Sequence, residues 1–312
     1  MNPSARPLDG LDFALVGPGR VGTSLAEWAR AAGAVCRAVA ARTRSAGLGA
    51  LAGRWQAVAT TAALWDAPEV DLVLIAVPDS AIPEVARHLA GRVRSGVVLH
   101  TAGALGPSVL APLAATGVAV GCLHPLRAFP AVEPDPAAAH GTFYALDGDA
   151  RARTLGRRLA EAFGGESAVV GEAVRPVYHL AASFAAGGVA TLFASAVALA
   201  RAGGVPSAAF PGYARLAAGA LAAAAAAPDP ADAITGPAVR GDLATVERQL
   251  AALHSVAPSF AGLAVAVARA ALERRAERGP LSTAQKALAE RLERSDLLDR
   301  TKDPVLTSDP SD

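Results

Sequence analysis

A glycine-rich segment near the amino end most constrains how this chain can fold. Residues 13–16 form a short apolar run, and residues 17–22 follow it as G-x-G-x-x-G, with apolar residues at helical spacing next. A strand, a glycine turn and a helix in this order predict a turn that holds the diphosphate of a dinucleotide. In such a turn Gly17 permits the tight bend, Gly19 lets the backbone approach the phosphates, and Gly22 lets the helix pack closely on the strand. Arg20 and Val21, at the start of the helix, belong to the same predicted contact set.

The residues after the second predicted strand indicate which dinucleotide is bound. An acidic residue commonly follows the fingerprint by about twenty residues in NAD-binding proteins. That position holds Arg42, followed by Thr43 and Arg44. Two arginines around a hydroxyl suit a 2′-phosphate, so the sequence favours NADP and makes NAD the weaker choice. The alternative is an ordinary solvated basic loop.

Apolar runs predict one doubly wound parallel sheet in the first half of the chain. The run at residues 71–77 is continuously apolar, as expected for a central strand covered on both faces. The predicted strands are 13–16, 35–41, 56–59, 71–77, 97–100, 118–122, 143–146 and 167–170.

Ligands of such sheets bind at the carboxyl ends of the strands, and several residues there are candidates. Val77, Pro78 and Thr101 follow two predicted strands and are assigned to the cofactor, although Pro78 has the equal alternative of merely ending its strand. His100 ends the strand that precedes Thr101, and His124 stands in the loop next to the end of the sixth predicted strand. A single histidine at such a position more often has a structural role. The expected location of both histidines at the carboxyl edge of the sheet favours a functional role.

His124 is the preferred histidine because a basic residue follows it closely. Arg127 lies three residues further on and is expected to hold an anionic substrate. No metal site is assigned to these residues.

Strand patterns stop after residue 171, and the rest of the chain is predicted to be helical. This shift predicts a dinucleotide-binding domain at residues 1–171, a helical domain at 172–298 and a disordered tail at 299–312. The predicted helices are 173–203, 206–227, 242–254, 258–277 and 281–298.

Composition and charge exclude several classes of protein. The formal net charge is +1 and no basic stripe occurs, so nucleic-acid binding has little support. Cys36 and Cys122 fall on the second and sixth predicted strands, about 19 Å apart at standard strand spacing. A disulfide needs Cα atoms within about 7 Å, so two free thiols and a reducing cytoplasm are predicted.

One apolar stretch is long enough to resemble a membrane span. Residues 179–200 are mostly alanine with a central Gly-Gly, and no cluster of positive charge flanks them. A core or subunit-interface helix is the preferred interpretation. Residues 1–10 are polar, so neither a signal peptide nor a membrane association is expected.

Two clusters in the second half carry unusual chemistry for an alanine-rich chain. Residues 175–179 read Arg-Pro-Val-Tyr-His, and residues 234–242 read Ile-Thr-Gly-Pro-Ala-Val-Arg-Gly-Asp. In the second cluster Asp242 is a plausible helix N-cap, and the Thr235 region is equally compatible with a simple turn. Arg240 has no such structural explanation, and the cluster is given even weight as part of a cleft.

These motifs together resemble the family of Rossmann-like proteins that carry domain of unknown function 2520. Its relatives include ketopantoate reductase, pyrroline-5-carboxylate reductase and prephenate dehydrogenase. The resemblance rests on residues 17–22, 77–79, 100–103, 124–129, 178–182 and 235–242, and it covers roughly residues 10–275. It implies an α/β fold with a Rossmann-like sheet, followed by an all-helical domain like the C-terminal domain of 6-phosphogluconate dehydrogenase. It further implies NADP binding, a homodimer through the helical domain, and reduction of a small keto acid.

Two positions depart from the family pattern. Arg175 stands where the pattern usually has lysine, and residues 186–188 are Ala-Gly-Gly where it often has Ser-Asn. Related reductases use that lysine and asparagine to hold or protonate the substrate oxygen. An arginine does not give up its proton near neutral pH, so the proton must have another source.

The resulting hypothesis is an NADP-dependent reductase that transfers hydride to the carbonyl of a small substrate such as ketopantoate. His124 or His179 supplies the proton, and Arg175 remains a candidate for holding a developing alkoxide. Arg127, Arg175 or Arg240 clamps a carboxylate, with Thr235 in the same substrate set. Two alternatives stay open, namely a cofactor-binding sensor or partner subunit without catalysis, and an imine reductase of the proline-synthesis type.

Overall fold

The computed structural model describes residues 5–65, 67–94 and 96–293. The chain forms two compact units, divided between Ala186 and Gly187. The domain boundary at residue 171 stays a prediction, since the first unit includes a helical segment after the last strand. The tail at 299–312 lies outside the described residues.

The first unit is built on an eight-stranded sheet whose order is β3-β2-β1-β4-β5-β6-β7-β8. The predicted α/β architecture is confirmed, with one correction. Strands β6 and β7 pair antiparallel, whereas all other neighbours are parallel. The segment between them contains a short 3-10 turn at Pro136–Ala139 and no crossover helix of the kind that parallel neighbours need. The strands are β1 Asp12–Val16, β2 Val35–Ala41, β3 Val58–Thr61, β4 Leu72–Ile75, β5 Val97–His100, β6 Ala119–Leu126, β7 Phe143–Gly148 and β8 Glu166–Val169.

Only β2 and β5 have their predicted bounds, and the differences in the third and sixth strands have different causes. The third strand begins two residues late, because Gln56 ends the preceding helix in the left-handed region with φ 54°. Strand β6 continues four residues beyond its predicted end at Cys122. Its extension pairs only with β7, and His124 lies opposite Ala145. The prediction that His124 lies in a loop is therefore wrong, because this residue lies within β6.

Helices cover both faces of the sheet, and buried side chains fill both layers. Helix α1 contributes Leu25 and Trp28, and α3 contributes Ile82 and Leu89, all of them almost fully buried. Pro83 is accommodated in the first turn of α3, as predicted. The helices of the first unit are α1 Arg20–Ala31, α2 Ala46–Trp55, α3 Ile82–Leu89, α4 Ala111–Ala114, α5 Ala150–Ala162 and α6 Arg175–Ser183.

The second unit is helical, as predicted from the loss of strand patterns. Its core joins buried aliphatic side chains of α10, α11 and α12, among them Leu250, Val265 and Leu288. The predicted helix at 173–203 is interrupted by a π-helical turn at Phe184–Gly188, which falls on the Gly-Gly pair. The helices are α7 Val189–Ala202, α8 Phe210–Ala226, α9 Pro237–Arg240, α10 Leu243–Val256, α11 Ala261–Ala276 and α12 Thr283–Glu293.

One helical stretch, residues 172–202, is long and apolar enough to cross a bilayer by length and composition. None of its most apolar window is buried within the chain. A single helix of this kind is weak evidence for a membrane span, because interface helices share its composition. Its exposure does not fit the predicted alternative of a core helix.

The two cysteines are free and buried, as the strand order predicts. Cys36 lies on β2 and Cys122 on β6, four positions apart in the sheet. Burial raises the pKa of each thiol to about 12, so both remain protonated near neutral pH.

Candidate active site

The glycine turn after β1 has the geometry that its sequence predicts. Gly17 has φ 94°, and a Cβ built on it would stand 2.5 Å from the main-chain oxygen of Ala76. A Cβ built on Gly22 would stand 2.3 Å from the main-chain oxygen of Gly17. Both positions therefore exclude a side chain, one because of the bend and one because of helix packing.

Gly19 differs from these two glycines because nothing lies within 4 Å of a Cβ built on it. It is the N-cap of α1, and within the described residues no side chain caps the helix there. The first turn of α1 also contains no acidic residue. The free N–H groups and the positive end of the helix dipole thus face an open space, which suits the negative charge of a diphosphate.

The other predicted cofactor residues surround this turn at the carboxyl edge of the sheet. Val77 lies beside Gly17, since its Cγ1 is 2.8 Å from the built Cβ. Thr101 is fixed at the neighbouring strand end by donating its N–H to the oxygen of Ile75. The Arg20 guanidinium donates to the oxygen of Pro130 at 3.1 Å and so spans the turn. Pro78 is exposed and precedes a 3-10 turn.

Arg42, Thr43 and Arg44 form an exposed loop after β2. The loop leads into α2, whose N-terminus is capped by the Ser45 hydroxyl accepting from the Leu48 N–H at 3.1 Å. The basic loop is placed where the ribose end of a dinucleotide lies in this fold. Its preference for a 2′-phosphate stays a prediction.

His100 has a structural role in the loop that follows β5. Its Nδ1 accepts the Ala102 N–H at 3.2 Å, so its Nε2 carries the proton and donates to the oxygen of Gly106 at 3.1 Å. Burial, with a smaller contribution from the charge of Arg175, lowers the pKa of His100 to about 4. The ring is therefore neutral near pH 7 and fixes the loop through two hydrogen bonds.

Arg175 begins α6 and is fully buried. Its guanidinium donates long hydrogen bonds of 3.4–3.5 Å to the main-chain oxygens of Ala102, Gly103 and Ala145. Among the described residues its Nε has no partner. The side chain thus supplies a fixed positive charge behind the loop after β5. This geometry disfavours the prediction that Arg175 itself contacts a substrate, because the guanidinium has no exposed surface.

His124, Tyr178 and His179 form a compact polar cluster in front of that loop. The Nδ1 of His124 is hydrogen-bonded to the Tyr178 hydroxyl at 2.9 Å. The rings of His124 and His179 meet edge to face with centroids 5.7 Å apart. A Cβ built on Gly103 would stand 2.8 Å from Nε2 of His124 and 2.3 Å from Cδ2 of His179. The cluster therefore depends on glycine at residue 103.

The protonation of this cluster follows from burial and from neighbouring charge. Burial, followed by the charges of His179, Arg175 and His100, lowers the pKa of His124 to about 4. His124 is thus neutral near pH 7 and holds a single ring proton. Burial raises the pKa of Tyr178, while the charge of Arg175 opposes that rise.

Arg127 is already paired in this structure. Its Nη2 donates to the Glu133 carboxylate at 2.8 Å, and both side chains are partly exposed. A substrate carboxylate would have to displace Glu133 in order to bind there. The predicted clamp at Arg127 remains untested, but its pairing makes it the weaker candidate.

Thr235 and Arg240 belong to the second unit, and both are exposed. Their segment turns at Gly236 and Gly241, which have φ 123° and 71°. The predicted N-cap is found, since the Asp242 carboxylate accepts the Thr245 N–H at 3.1 Å. A substrate role for Thr235 and Arg240 stays a prediction.

Tyr178 was not predicted as a site residue, although it belongs to the cluster at residues 175–179 and its hydroxyl is hydrogen-bonded to His124. A helical spacing of three places Arg175 and Tyr178 on one face of α6, and this was the available signal. The missing part was the extension of β6, which brings His124 to the tyrosine.

The sheet order and the glycine turn define a Rossmann-like first unit, and a helical second unit follows it. The Rossmann-like domain family matches residues 5–125, and the domain of unknown function DUF2520 matches residues 142–270. The chain therefore combines a Rossmann-like domain with a DUF2520 domain, as the resemblance predicted.

Solved structures share this fold at low sequence identity. The candidate NADP oxidoreductase BF3122 from Bacteroides fragilis is 22% identical, with a TM-score of 0.70 over 85% of this chain and 98% of its own. Protein TM1727 from Thermotoga maritima is also 22% identical, with a TM-score of 0.66 over 86% and 100%. The imine reductase from Myxococcus stipitatus in complex with NADP+ is 20% identical, with a TM-score of 0.61 over 90% and 99%. No curated protein matches the sequence. The chain thus shares the fold of these three proteins.

Proposed function

We propose that this protein is an NADPH-dependent reductase that transfers hydride to the carbonyl carbon of a small 2-keto acid such as ketopantoate. When bound, the nicotinamide cofactor supplies the hydride. The residues of the chain bind the diphosphate, orient the carbonyl and deliver a proton to its oxygen. The NADP oxidoreductase assignment of BF3122 and the NADP+ complex of the imine reductase support the choice of cofactor.

The observation that carries this proposal is the position of two features on one edge of the sheet. The uncapped turn after β1 and the His124–Tyr178–His179 cluster beside β6 both lie at carboxyl strand ends. In the strand order β1-β4-β5-β6 they are three steps apart, which is about 14 Å at standard spacing. An extended dinucleotide held at the first feature would place its reactive end toward the second.

Within this proposal the residues divide into two roles. His124 and His179, which the sequence suggested as sources of the proton, lie in the cluster together with Tyr178. Arg240, with Thr235, is the preferred carboxylate ligand, because Arg127 is paired with Glu133 and Arg175 is buried.

The test is oxidation of NADPH, followed at 340 nm, by the purified protein over a panel of 2-keto acids. We expect turnover above background with at least one branched keto acid and a much lower rate with NADH. Cofactor binding without turnover of any carbonyl or imine would instead support the sensor or partner-subunit alternative.

Imine reduction is the second candidate function, and the Arg127–Glu133 ion pair favours it. An imine substrate without a carboxylate needs no anion clamp beside the cluster, so the pair would stay intact. Including cyclic imines in the same panel, together with an Arg240→Ala variant, separates the two. Loss of affinity in that variant supports a carboxylate substrate, whereas unchanged kinetics support the imine.

We also propose that the protein is a cytoplasmic homodimer that buries the exposed apolar face of its helical unit. Leu192 on α7 and Leu216 and Leu221 on α8 are 45%, 69% and 54% exposed. The only charged residue of α8 is Arg215. A surface this apolar is unusual on a monomer, and a second copy offers an equally uncharged partner.

A further inference from the structure

The cluster contains a proton donor that the histidine hypothesis leaves out. Tyr178 is partly exposed, and its hydroxyl is held 2.9 Å from Nδ1 of His124. The two rings meet edge to face at an angle of 88°. The hydroxyl is therefore oriented by a single ring nitrogen. When Nδ1 of His124 carries the proton and donates it to the Tyr178 oxygen, the hydroxyl proton of Tyr178 can point toward a substrate.

The two histidines are less suited to deliver the proton themselves. His124 is neutral near pH 7, because burial lowers its pKa to about 4, and its Nδ1 is already engaged by Tyr178. In the part of the chain that the structure describes, no hydrogen bond holds the ring of His179. No described hydrogen bond therefore orients that ring toward a substrate oxygen.

Tyr178 has an acidic enough proton for this role, and a neighbouring positive charge stabilises the anion that it leaves. A phenol is a stronger acid than an alcohol, so an alkoxide takes its proton readily. The buried guanidinium of Arg175 stands one helical turn earlier on α6 and favours the phenolate that remains. Arg175 thereby acts through Tyr178 without touching the substrate.

We infer that Tyr178 is a catalytic residue, whose hydroxyl protonates the substrate oxygen while His124 relays the replacement proton. This inference rests on the proposed reduction. As the carbonyl carbon receives the hydride, its π electrons move to oxygen, and the Tyr178 O–H bond breaks to form the new O–H bond. The phenolate then takes the proton from Nδ1 of His124, and a solvent proton adds at Nε2, which leaves the ring neutral in its other tautomer.

Gly103 keeps the route for this solvent proton open. A Cβ at residue 103 would stand 2.8 Å from Nε2 of His124 and would cover it. The absence of a side chain therefore leaves the far nitrogen of the relay accessible from the loop side.

The test compares Tyr178→Phe with Tyr213→Phe, a matched loss of a hydroxyl on α8 of the second unit. We expect Tyr178→Phe to lower kcat about 100-fold, as general acids typically contribute, with KM and the NADPH Kd within twofold of wild type. Tyr213→Phe is expected to match wild type. Thermal melting of each variant checks that it is folded.

A second measurement is independent of turnover. The 15N chemical shifts of the His124 ring, in protein with NADP+ bound, report the tautomer and the hydrogen bond at Nδ1. We expect Tyr178→Phe to move the Nδ1 shift and Tyr213→Phe to leave it in place.

The outcomes separate this inference from the proposed function. If wild type reduces a substrate and Tyr178→Phe does so at a rate within twofold, Tyr178 is not the donor, although the proposed function stands. The same conclusion follows if the Nδ1 chemical shift of His124 is unchanged in Tyr178→Phe. If wild type binds NADPH and reduces nothing in the panel, the proposed function fails and this inference fails with it.

Discussion

Gly22 approaches Gly17 so closely that a Cβ on Gly22 would lie 2.3 Å from the main-chain oxygen of Gly17. The same built atom would be 3.1 Å from Cδ1 of Leu15. Gly19, between them in sequence, has nothing within 4 Å and φ −80°, which any residue can adopt. The three glycines of one motif thus divide into two that the fold requires and one that it does not.

This division predicts that alanine destabilises the protein at one of these glycines and not at the other. Gly22→Ala forces α1 away from β1 and should destabilise the protein by about 1–3 kcal/mol, the usual cost of overpacking. Gly19→Ala should unfold at the wild-type temperature. Thermal denaturation followed by circular dichroism measures both, and equal melting temperatures for the two variants would show that α1 does not pack closely on β1 at Gly22.

The basic loop after β2 predicts a cofactor-specific effect. Arg42→Ala should weaken NADP binding about tenfold, since a charge-assisted hydrogen bond contributes roughly 1.5–3 kcal/mol, and should leave NAD affinity unchanged. Arg54→Ala, which removes an exposed arginine from the last turn of α2, is the control. Titration calorimetry gives the dissociation constants of NADP and of NAD for wild type and for both variants. Equal loss for both dinucleotides would assign Arg42 a role other than holding a 2′-phosphate.

The buried histidines predict a loss of stability in mild acid. The folded pKa of His100 and of His124 is about 4, below the ordinary value near 6.5. The unfolded chain therefore binds more protons between these values, and stability must fall as pH drops through that window. Each histidine contributes a slope of about 1.4 kcal/mol per pH unit.

Urea unfolding at several pH values between 6.5 and 5 measures this slope. His100→Asn should reduce the slope by the contribution of one histidine. A variant of His100 with the full wild-type slope would mean that this ring is not buried in its neutral form.

The exposed leucines of α8 predict the oligomeric state. Wild type should sediment as a dimer at micromolar concentration, and the pair Leu216→Glu and Leu221→Glu should shift it to a monomer, because two carboxylates cannot be buried without partners. Arg157→Glu, at an exposed position of α5, changes the net charge by the same two negative units and controls for this change. A monomeric wild-type protein would require another explanation for this apolar face.

The sequence was sufficient for features that depend on neighbouring residues. Strands β2 and β5 have their predicted bounds, because each is an apolar run with clear flanking residues. The Asp242 cap and the accommodation of Pro83 also follow from local rules. The free state of Cys36 and Cys122 followed from strand order alone.

Features set by distant partners were not predictable in the same way. The extension of β6 through His124 exists because β7 pairs with it antiparallel, and no local pattern encodes that direction. The burial of Arg175 and the Arg127–Glu133 pair likewise depend on how separate segments meet. The sequence therefore placed His100 and His124 at the carboxyl edge of the sheet, whereas the contacts of the individual side chains required the structure.

Calorimetric titration of NADPH and NADP+ into the wild-type protein and into Gly19→Ala tests the central claim most directly. Gly53→Ala, an equally open glycine on α2, serves as the matched control. We predict one binding site per chain in wild type and in Gly53→Ala, and affinity lower by on the order of tenfold, or about 1.4 kcal/mol, in a fully folded Gly19→Ala. Absence of binding heat from both forms of the cofactor in wild type, or equal affinity in all three proteins, would contradict a diphosphate site at the glycine turn.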